Sequence, residues 1–269
     1  MTQKLVLIKG AGDIATAVAH KLFRSGFKII MTDIDKPTCV RRYVSFANCI
    51  YEGEWQVEGV KAKKACNIEE ANLIISEGAI PVIPDATASI KNIIKPVALI
   101  DAILAKKNTG TTINDAPIVI GLGPGFTAGI DVDIVIETNR GHNLGRIIYE
   151  GKGEEYTGIP GKIGGYTRER VIRSATEGVV KAYRKIGDIV KKGDIIAYIG
   201  DSEIRASIDG VIRGLIQTGT YVTKDYKIGD IDPRGNIQYV STISEKGRCI
   251  AGGVLEALLH NIYLYSLYY

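Results

Sequence analysis

No window of this 269-residue chain approaches the run of about 18 apolar residues that a membrane-spanning helix needs. Before Lys9 the opening "MTQKLVLIKGAG" has too few apolar positions for a secretory h-region, so a cytoplasmic protein without a leader is expected. The four cysteines, Cys39, Cys49, Cys66 and Cys249, form no C-x-x-C pair and stand near no histidine at zinc spacing. That excludes a disulfide frame and predicts reduced thiols and no metal site. With only three histidines there is no triad to assemble. Basic residues alternate with acidic ones, as in "ERVIRSATEG", and the net charge is only +4, so a nucleic-acid footprint is not expected. What remains is a globular composition, 45% hydrophobic and 24% charged, with ample core for one large domain or two.

The first 35 residues read as a strand, a helix and a second strand. "KLVLI" is a short continuous apolar run, as in a strand buried on both faces. Asp13 opens a helix with apolar positions at Ile14, Ala17, Val18, Leu22 and Phe23, closed by Gly26. "KIIMTDI" follows as a strand, and "CIYEGEWQVEGVKAKKA" alternates like short hairpins. Helix and strand then alternate again: "NIEEANLIISEG" is helical, "AIPVIPD" extended, and "PVALIDAIL" begins as a strand and runs into a helix. Up to about residue 150 this pattern predicts a doubly wound α/β sheet.

The stretch Gly151 to Gly165 holds six glycines and one proline and reads as a linker or draped loop. Beyond it, Ile172 to Gly200 aligns without gaps on Ile204 to Asp232, keeping Gly178/Gly210, Gly187/Gly219 and Ile196/Ile228 in register. Two such copies predict a pseudo-symmetric β domain. After Ile243 an apolar face of Val254, Leu255, Leu258, Leu259 and Ile262 predicts a final helix. The expected architecture is an α/β Rossmann-like domain over residues 1–165, an all-β barrel-sandwich hybrid over 166–240, and a helix with an aromatic tail over 241–269. That tail is expected to pack on the chain or on a partner.

Two glycine clusters attract attention. "IKGAGDIATA" places Gly10, Gly12 and Ala15 at G-x-G-x-x-G/A spacing between a strand and a helix, with Asp33 at the end of the next strand. Such a turn admits a pyrophosphate to the N–H groups around Gly12 and Asp13, and an acid at Asp33 can accept from ribose hydroxyls. "GLGPGF" supplies Gly121, Gly123 and Gly125 as a second anion nest or as a plain turn. "DVDIVIETNRGHNLG" brings Asp131, Asp133, Glu137, Arg140 and His142 into a short span. Arg140 is a candidate for an anionic group and His142 for proton transfer. Cys39, beside Arg41 and Arg42, is a third catalytic candidate through a lowered thiol pKa.

The duplicated segment, with "GDIVKKGDIIAYI", resembles the biotinyl/lipoyl carriers, whose modified lysine lies in the hairpin between the halves. Here that junction, "IGDSEIRAS", has no lysine, so neither biotin nor lipoate is expected. Taken together, "KGAGDIATAVAHKLFRSGF", "DAILAKKNTGT", "APIVIGLGPGFTAGIDVDIVIETNRGHNLGRIIYEG", "GIPGKIGGYTRERVIRSATEGVV" and "GGVLEALL" resemble the YqeB-type accessory proteins of selenium-dependent molybdenum hydroxylase systems. The first part is also similar in plan to XdhC-type cofactor chaperones. The resemblance implies maturation of a molybdenum hydroxylase client through a molybdopterin-type cofactor or its nucleotide. The residues leave two alternatives open, an NAD(P)-dependent oxidoreductase or cofactor-modifying transferase, and a scaffold with a degenerate site. A homo-oligomer is likewise left open.

Overall fold

The computed structural model describes residues 4–268, with side chains to residue 263. The chain divides into two units. Unit 1 takes the chain up to Pro37, then Ser45–Tyr156, then the chain from Ile243; unit 2 takes Thr38–Val44 and Thr157–Thr242.

Unit 1 begins with β1 (Leu5–Lys9), α1 (Asp13–Arg24) and β2 (Lys28–Asp33). Then come α2 (Cys49–Glu52), the hairpin β3 (Glu54–Val57) and β4 (Val60–Lys64), α3 (Ile68–Ser76), β5 (Ile80–Pro84), α4 (Lys91–Ile94) and β6 (Ala98–Asp101). After these follow β7 (Val119–Leu122), β8 (Thr127–Ala128), β9 (Ile134–Ile136), β10 (Ile147–Ile148) and β11 (Gly151–Lys152). Unit 2 contains β12 (Val171–Arg173), β13 (Gly178–Ala182), β14 (Ile189–Val190), β15 (Ile195–Ile199), β16 (Ser202–Arg205), β17 (Gly210–Leu215), β18 (Tyr221–Val222), β19 (Lys227–Asp232) and α5 (Gln238–Ser241). The last helix, α6 (Glu245–Tyr268), belongs to unit 1.

In unit 1 nine strands form one mixed sheet, ordered β10-β9-β7-β6-β1-β2-β5-β4-β3. Its interior ladders are parallel, and the outermost pair at each end is antiparallel. Val6, Leu7 and Ile8 are fully buried, as a strand covered on both faces requires. One face packs Leu7 and Ile30 with Ala71, Ile74 and Phe126. On α1 seven of the twelve residues are buried, and α6 packs against this helix. Glycines let the backbones close: a Cβ at Gly247 would lie 2.8 Å from the Ala17 methyl, and one at Gly253 only 2.2 Å from the Gly145 carbonyl oxygen.

The expected pairing of a Rossmann-like domain with a barrel-sandwich hybrid is corrected by this topology. A doubly wound unit carries its parallel crossovers on helices. Here residues 102–118, between β6 and β7, hold no helix, and β7 reaches β9 through a loop that carries only β8. The helix expected to continue "PVALIDAIL" does not form, because the Asp101 carboxylate accepts the Ile103 N–H at 3.2 Å and Leu104 takes a left-handed φ of +58°. Unit 2 is two four-stranded antiparallel sheets, β12-β19-β17-β14 and β16-β15-β13-β18. Each sheet mixes strands of both sequence copies.

The units also differ from a contiguous division at residues 165 and 240. Val40 accepts the Leu215 N–H at 2.8 Å, which draws residues 38–44 into unit 2. The expected packing of the aromatic tail lies outside the described side chains, except for exposed Tyr263. Among the described residues no helix is long and apolar enough to cross a membrane.

The crowding at α6 makes two adjacent glycines behave oppositely. Gly253→Ala forces a methyl onto the Gly145 carbonyl and should cost about 1–3 kcal/mol. At Gly252 the nearest atom is the Lys21 Nζ at 3.9 Å, so Gly252→Ala should gain up to about 1 kcal/mol from helix propensity alone. Urea unfolding of both variants checks this, and a Gly253→Ala protein as stable as wild type would contradict the close approach.

Candidate functional site

Because β9, β7, β6, β1, β2 and β5 run parallel, their C-terminal ends share one edge of the sheet. The chain passes from β1 to β2 on one side and later to β6 on the other, so the strand order reverses at β1. Lys9 ends β1 and Asp101 ends β6, and they are partners in the ladder. Both side chains are buried, with Lys9 Nζ 3.3 Å from Asp101 Oδ2. The ammonium also donates to Thr111 Oγ1 at 3.0 Å and Thr109 Oγ1 at 3.3 Å, while the Thr111 hydroxyl donates to Asp101 Oδ2 at 2.6 Å. Sequence reasoning missed this cluster. Its signal was a charge at the last position of each of two otherwise apolar runs, "LVLIK" and "ALID".

The first glycine turn lies beside it. Gly10 has φ +99° and donates its N–H to the Thr32 carbonyl at 2.8 Å. A Cβ there would stand 3.1 Å from the Ala102 and Ile103 backbone, so the 102–103 segment rests on Gly10. Gly10 and Ala15 are buried, whereas Gly12, Asp13 and Asp33 are half-buried. Gly12 is the N-cap of α1 in extended conformation, and among the described residues no side chain caps the helix there. Asp33 accepts from the Ala11 N–H through Oδ2 and from the Ile34 N–H through Oδ1, both at 2.8 Å. Burial pushes its carboxyl above the usual aspartate range, against the two N–H bonds. Positive helix end and anchored carboxylate stand on adjacent strand ends, which suits a ligand carrying both an anion and hydroxyls.

The second glycine cluster serves packing at all three positions. A Cβ at Gly121 would meet the Phe126 ring at 2.6 Å, one at Gly123 (φ +84°) the Thr138 hydroxyl at 2.5 Å, and one at Gly125 (φ +119°) the Lys107 backbone at 3.1 Å. This loop lies at the same edge as Gly12, two strands along.

The acidic span is not one cluster. Asp133 accepts the Val119 N–H at 2.7 Å and Asp131 the Thr127 N–H at 2.8 Å, which places Asp133 at the start of β7 and β9, the opposite edge. Burial raises Asp133 as well. Buried Glu137, past the end of β9, accepts the Asn139 and Glu154 N–H groups at 2.6 Å each. Arg140 is paired with Glu245 at the start of α6 rather than facing an open site. His142 is exposed, and with Asn143, Leu144, Gly145 and Arg146 it lines a depression of about 420 Å³.

Cys39, Arg41 and Arg42 belong to unit 2. There Arg41 donates to the Tyr239 carbonyl at 3.1 Å and Arg42 to the Leu215 carbonyl at 3.0 Å. The fully buried thiol is Cys49, which burial pushes up to about 12. Among the described residues no group of three metal-ligating side chains gathers.

No family model matches the chain. It is 50% identical over 256 residues to the uncharacterized protein YqeB of Escherichia coli (strain K12), a match taking in 95% of this chain and 47% of that protein. The YqeB-type resemblance therefore runs along nearly the whole chain, and the chain spans about half the length of the curated relative it matches. Among solved structures it is similar to an aspartoacylase family protein of Mesorhizobium loti MAFF303099, at 12% identity and TM-score 0.26, over 86% of this chain and 85% of that one. The ectoine utilization protein EutE (DoeB) of Ruegeria pomeroyi gives 10% identity and TM-score 0.27, over 85% of each chain. Scores of this size carry no argument about the fold or the chemistry.

Two measurements probe the strand-end cluster. Lys9→Met leaves Asp101 buried without its cation and should cost about 3–5 kcal/mol, much of it recovered in Lys9→Met/Asp101→Leu. A double variant whose loss equals the sum of the Lys9→Met and Asp101→Leu losses would show that the pair is not coupled. The Asp33 carboxyl carbon, followed by NMR, should titrate above an ordinary aspartate. A folded-state value raised above the unfolded one stabilises at low pH, and that contribution is lost as pH rises through the folded value. Asp33→Asn should remove that step from the stability–pH curve.

Proposed function

We propose that this chain is a maturation accessory for a selenium-dependent molybdenum hydroxylase, and that it holds a molybdopterin-type cofactor or its nucleotide at the C-terminal edge of the nine-stranded sheet. The observation that carries the reading is the juxtaposition of Gly12, an extended N-cap with no capping side chain, with Asp33 anchored through the Ala11 N–H. The first turn around Gly12 and Asp13 offers N–H groups and the positive end of the α1 dipole to a phosphate or pyrophosphate. Asp33 would accept from vicinal hydroxyls beside it. The Gly121–Gly125 loop stands two strands further along the same edge, where it would border a longer ligand. The pathway itself rests on the resemblance to YqeB-type proteins, and the client enzyme is part of the proposal.

The same pair of features suits a dinucleotide, which supports a second reading as an NAD(P)-dependent oxidoreductase or cofactor-modifying transferase. His142, exposed in the loop after β9, is then the candidate proton-transfer group.

Gly12→Asp separates binding from folding. The Gly12 backbone, φ −67° and ψ −175°, suits an aspartate N-cap, so the variant should keep or gain stability, by up to about 1 kcal/mol. Its carboxylate would occupy the anion's place. Calorimetry with anaerobically prepared molybdenum cofactor, with and without its nucleotide, and with CDP, CTP, NAD(H) and NADP(H), should show cofactor binding that the variant loses. Binding of NAD(P) alone would favour the second reading. No binding by wild type, or undiminished binding by a folded Gly12→Asp protein, would overturn both.

A further inference from the structure

The loop from Glu137 to Arg146, between β9 and β10, is pinned along its length. The Gly145 N–H donates to the Glu137 carbonyl and the Arg146 N–H to the Asn143 carbonyl, each at 2.9 Å. Arg140 is tied to Glu245, and the Cys249 Sγ donates to the Leu144 carbonyl at 3.0 Å. Side-chain amides of Asn139 and Asn143 donate to the Glu154 carboxylate at 2.6 and 3.0 Å, holding both asparagines away from other work. Gly253 leaves just enough room for Gly145 to seat on α6.

On this fixed backbone two donor side chains stand unengaged. Among the described residues neither His142 nor Arg146 has a side-chain hydrogen bond, ion pair or ring contact, and both line the same depression. Every other charged group of the loop is satisfied: Glu137 by N–H groups, Arg140 by Glu245. A surface loop that neutralises one arginine and leaves the next one free, beside an imidazole, offers an anion two donor groups on a backbone that is already ordered.

We infer that the depression formed by His142, Asn143, Leu144, Gly145 and Arg146 is a phosphate subsite, with the Arg146 guanidinium as its charge partner and a His142 ring N–H as a second donor. The phosphate is either free or the end group of a nucleotide. The loop follows β9, three strands from β1 and therefore roughly 14 Å along the edge from the α1 end. The subsite goes beyond the cofactor-binding reading and needs neither Gly12 nor Asp33.

NMR of the histidine rings tests it, since His20, His142 and His260 give only three sets of signals. At fixed pH and ionic strength, inorganic phosphate should shift the His142 Cε1–H signal saturably while acetate does not. Arg146→Ala should weaken the phosphate affinity by about ten-fold, with Arg146→Lys in between. Gly12→Asp should leave it unchanged, so failure of the α1 reading would not touch this one. Competition by CDP in the Gly12→Asp protein would assign the subsite to a nucleotide's end phosphate; saturation by inorganic phosphate without such competition would assign it to the free anion. Absence of any saturable shift, or equal affinity in a folded Arg146→Ala protein, would overturn the inference.

Discussion

A charge pair buried in the middle of a parallel sheet has few places to go. Lys9 and Asp101 take the one available, the last residues of two neighbouring strands, where a side chain can leave the apolar layer. Such a pair is weak grounds for stability, because desolvation offsets much of the attraction. Its importance here is positional. Through Thr109, Thr111 and the Ile103 N–H it fixes the helix-free segment that follows β6. That segment in turn rests on Gly10 at one point and on Gly125 at another. Two glycine clusters far apart in sequence thus press on one strap of chain, and the strap is held by one ammonium.

This changes what the glycines mean. Gly10, Gly121, Gly123 and Gly125 each lack a side chain because a neighbouring part of the same chain occupies the space. Gly12 differs: it is half-buried, extended and at the head of α1. Spacing alone cannot tell a glycine that makes room for neighbouring chain from one at the head of a helix, since both leave the same letter in the sequence.

Local signals were legible. Apolar runs became β1, β2, β6 and β7; the 3.6-residue period of α1 and α6 and the alternation around Gly59 all appear as elements. The repeat appears too, but each sheet of unit 2 draws strands from both copies, an exchange that an alignment of the copies does not encode. Long-range choices were less legible. "DAIL" looked helical, and a carboxylate capturing a nearby N–H together with one left-handed leucine ended the strand in a loop instead. Arg41 and Arg42 follow β2 closely in sequence, yet their guanidinium groups satisfy carbonyls of unit 2. In the candidate site, Gly12 and Asp33 were readable from spacing. Lys9 and Asp101 were not, because a terminal charge on a buried strand looks like an ordinary strand end until the partner strand is known. Arg140 was the readable arginine of its loop, and Arg146 is the one without a partner among the described residues.

The chain changes units four times, at Pro37, Val44, Tyr156 and Thr242. During synthesis, α1 and the central strands are made long before α6, the helix that packs on α1. Unit 1 therefore emerges with Ala17 and its neighbours still lacking their cover, and stays so while all of Thr157–Thr242 is being made. Unit 2 has its described strands, β12 to β19, in one later stretch, and its other piece, Thr38–Val44, has been made by then. The first unit to begin is thus the last that can be completed, and its apolar helix face stays open through the whole making of the 86 residues Thr157–Thr242 as well as before it.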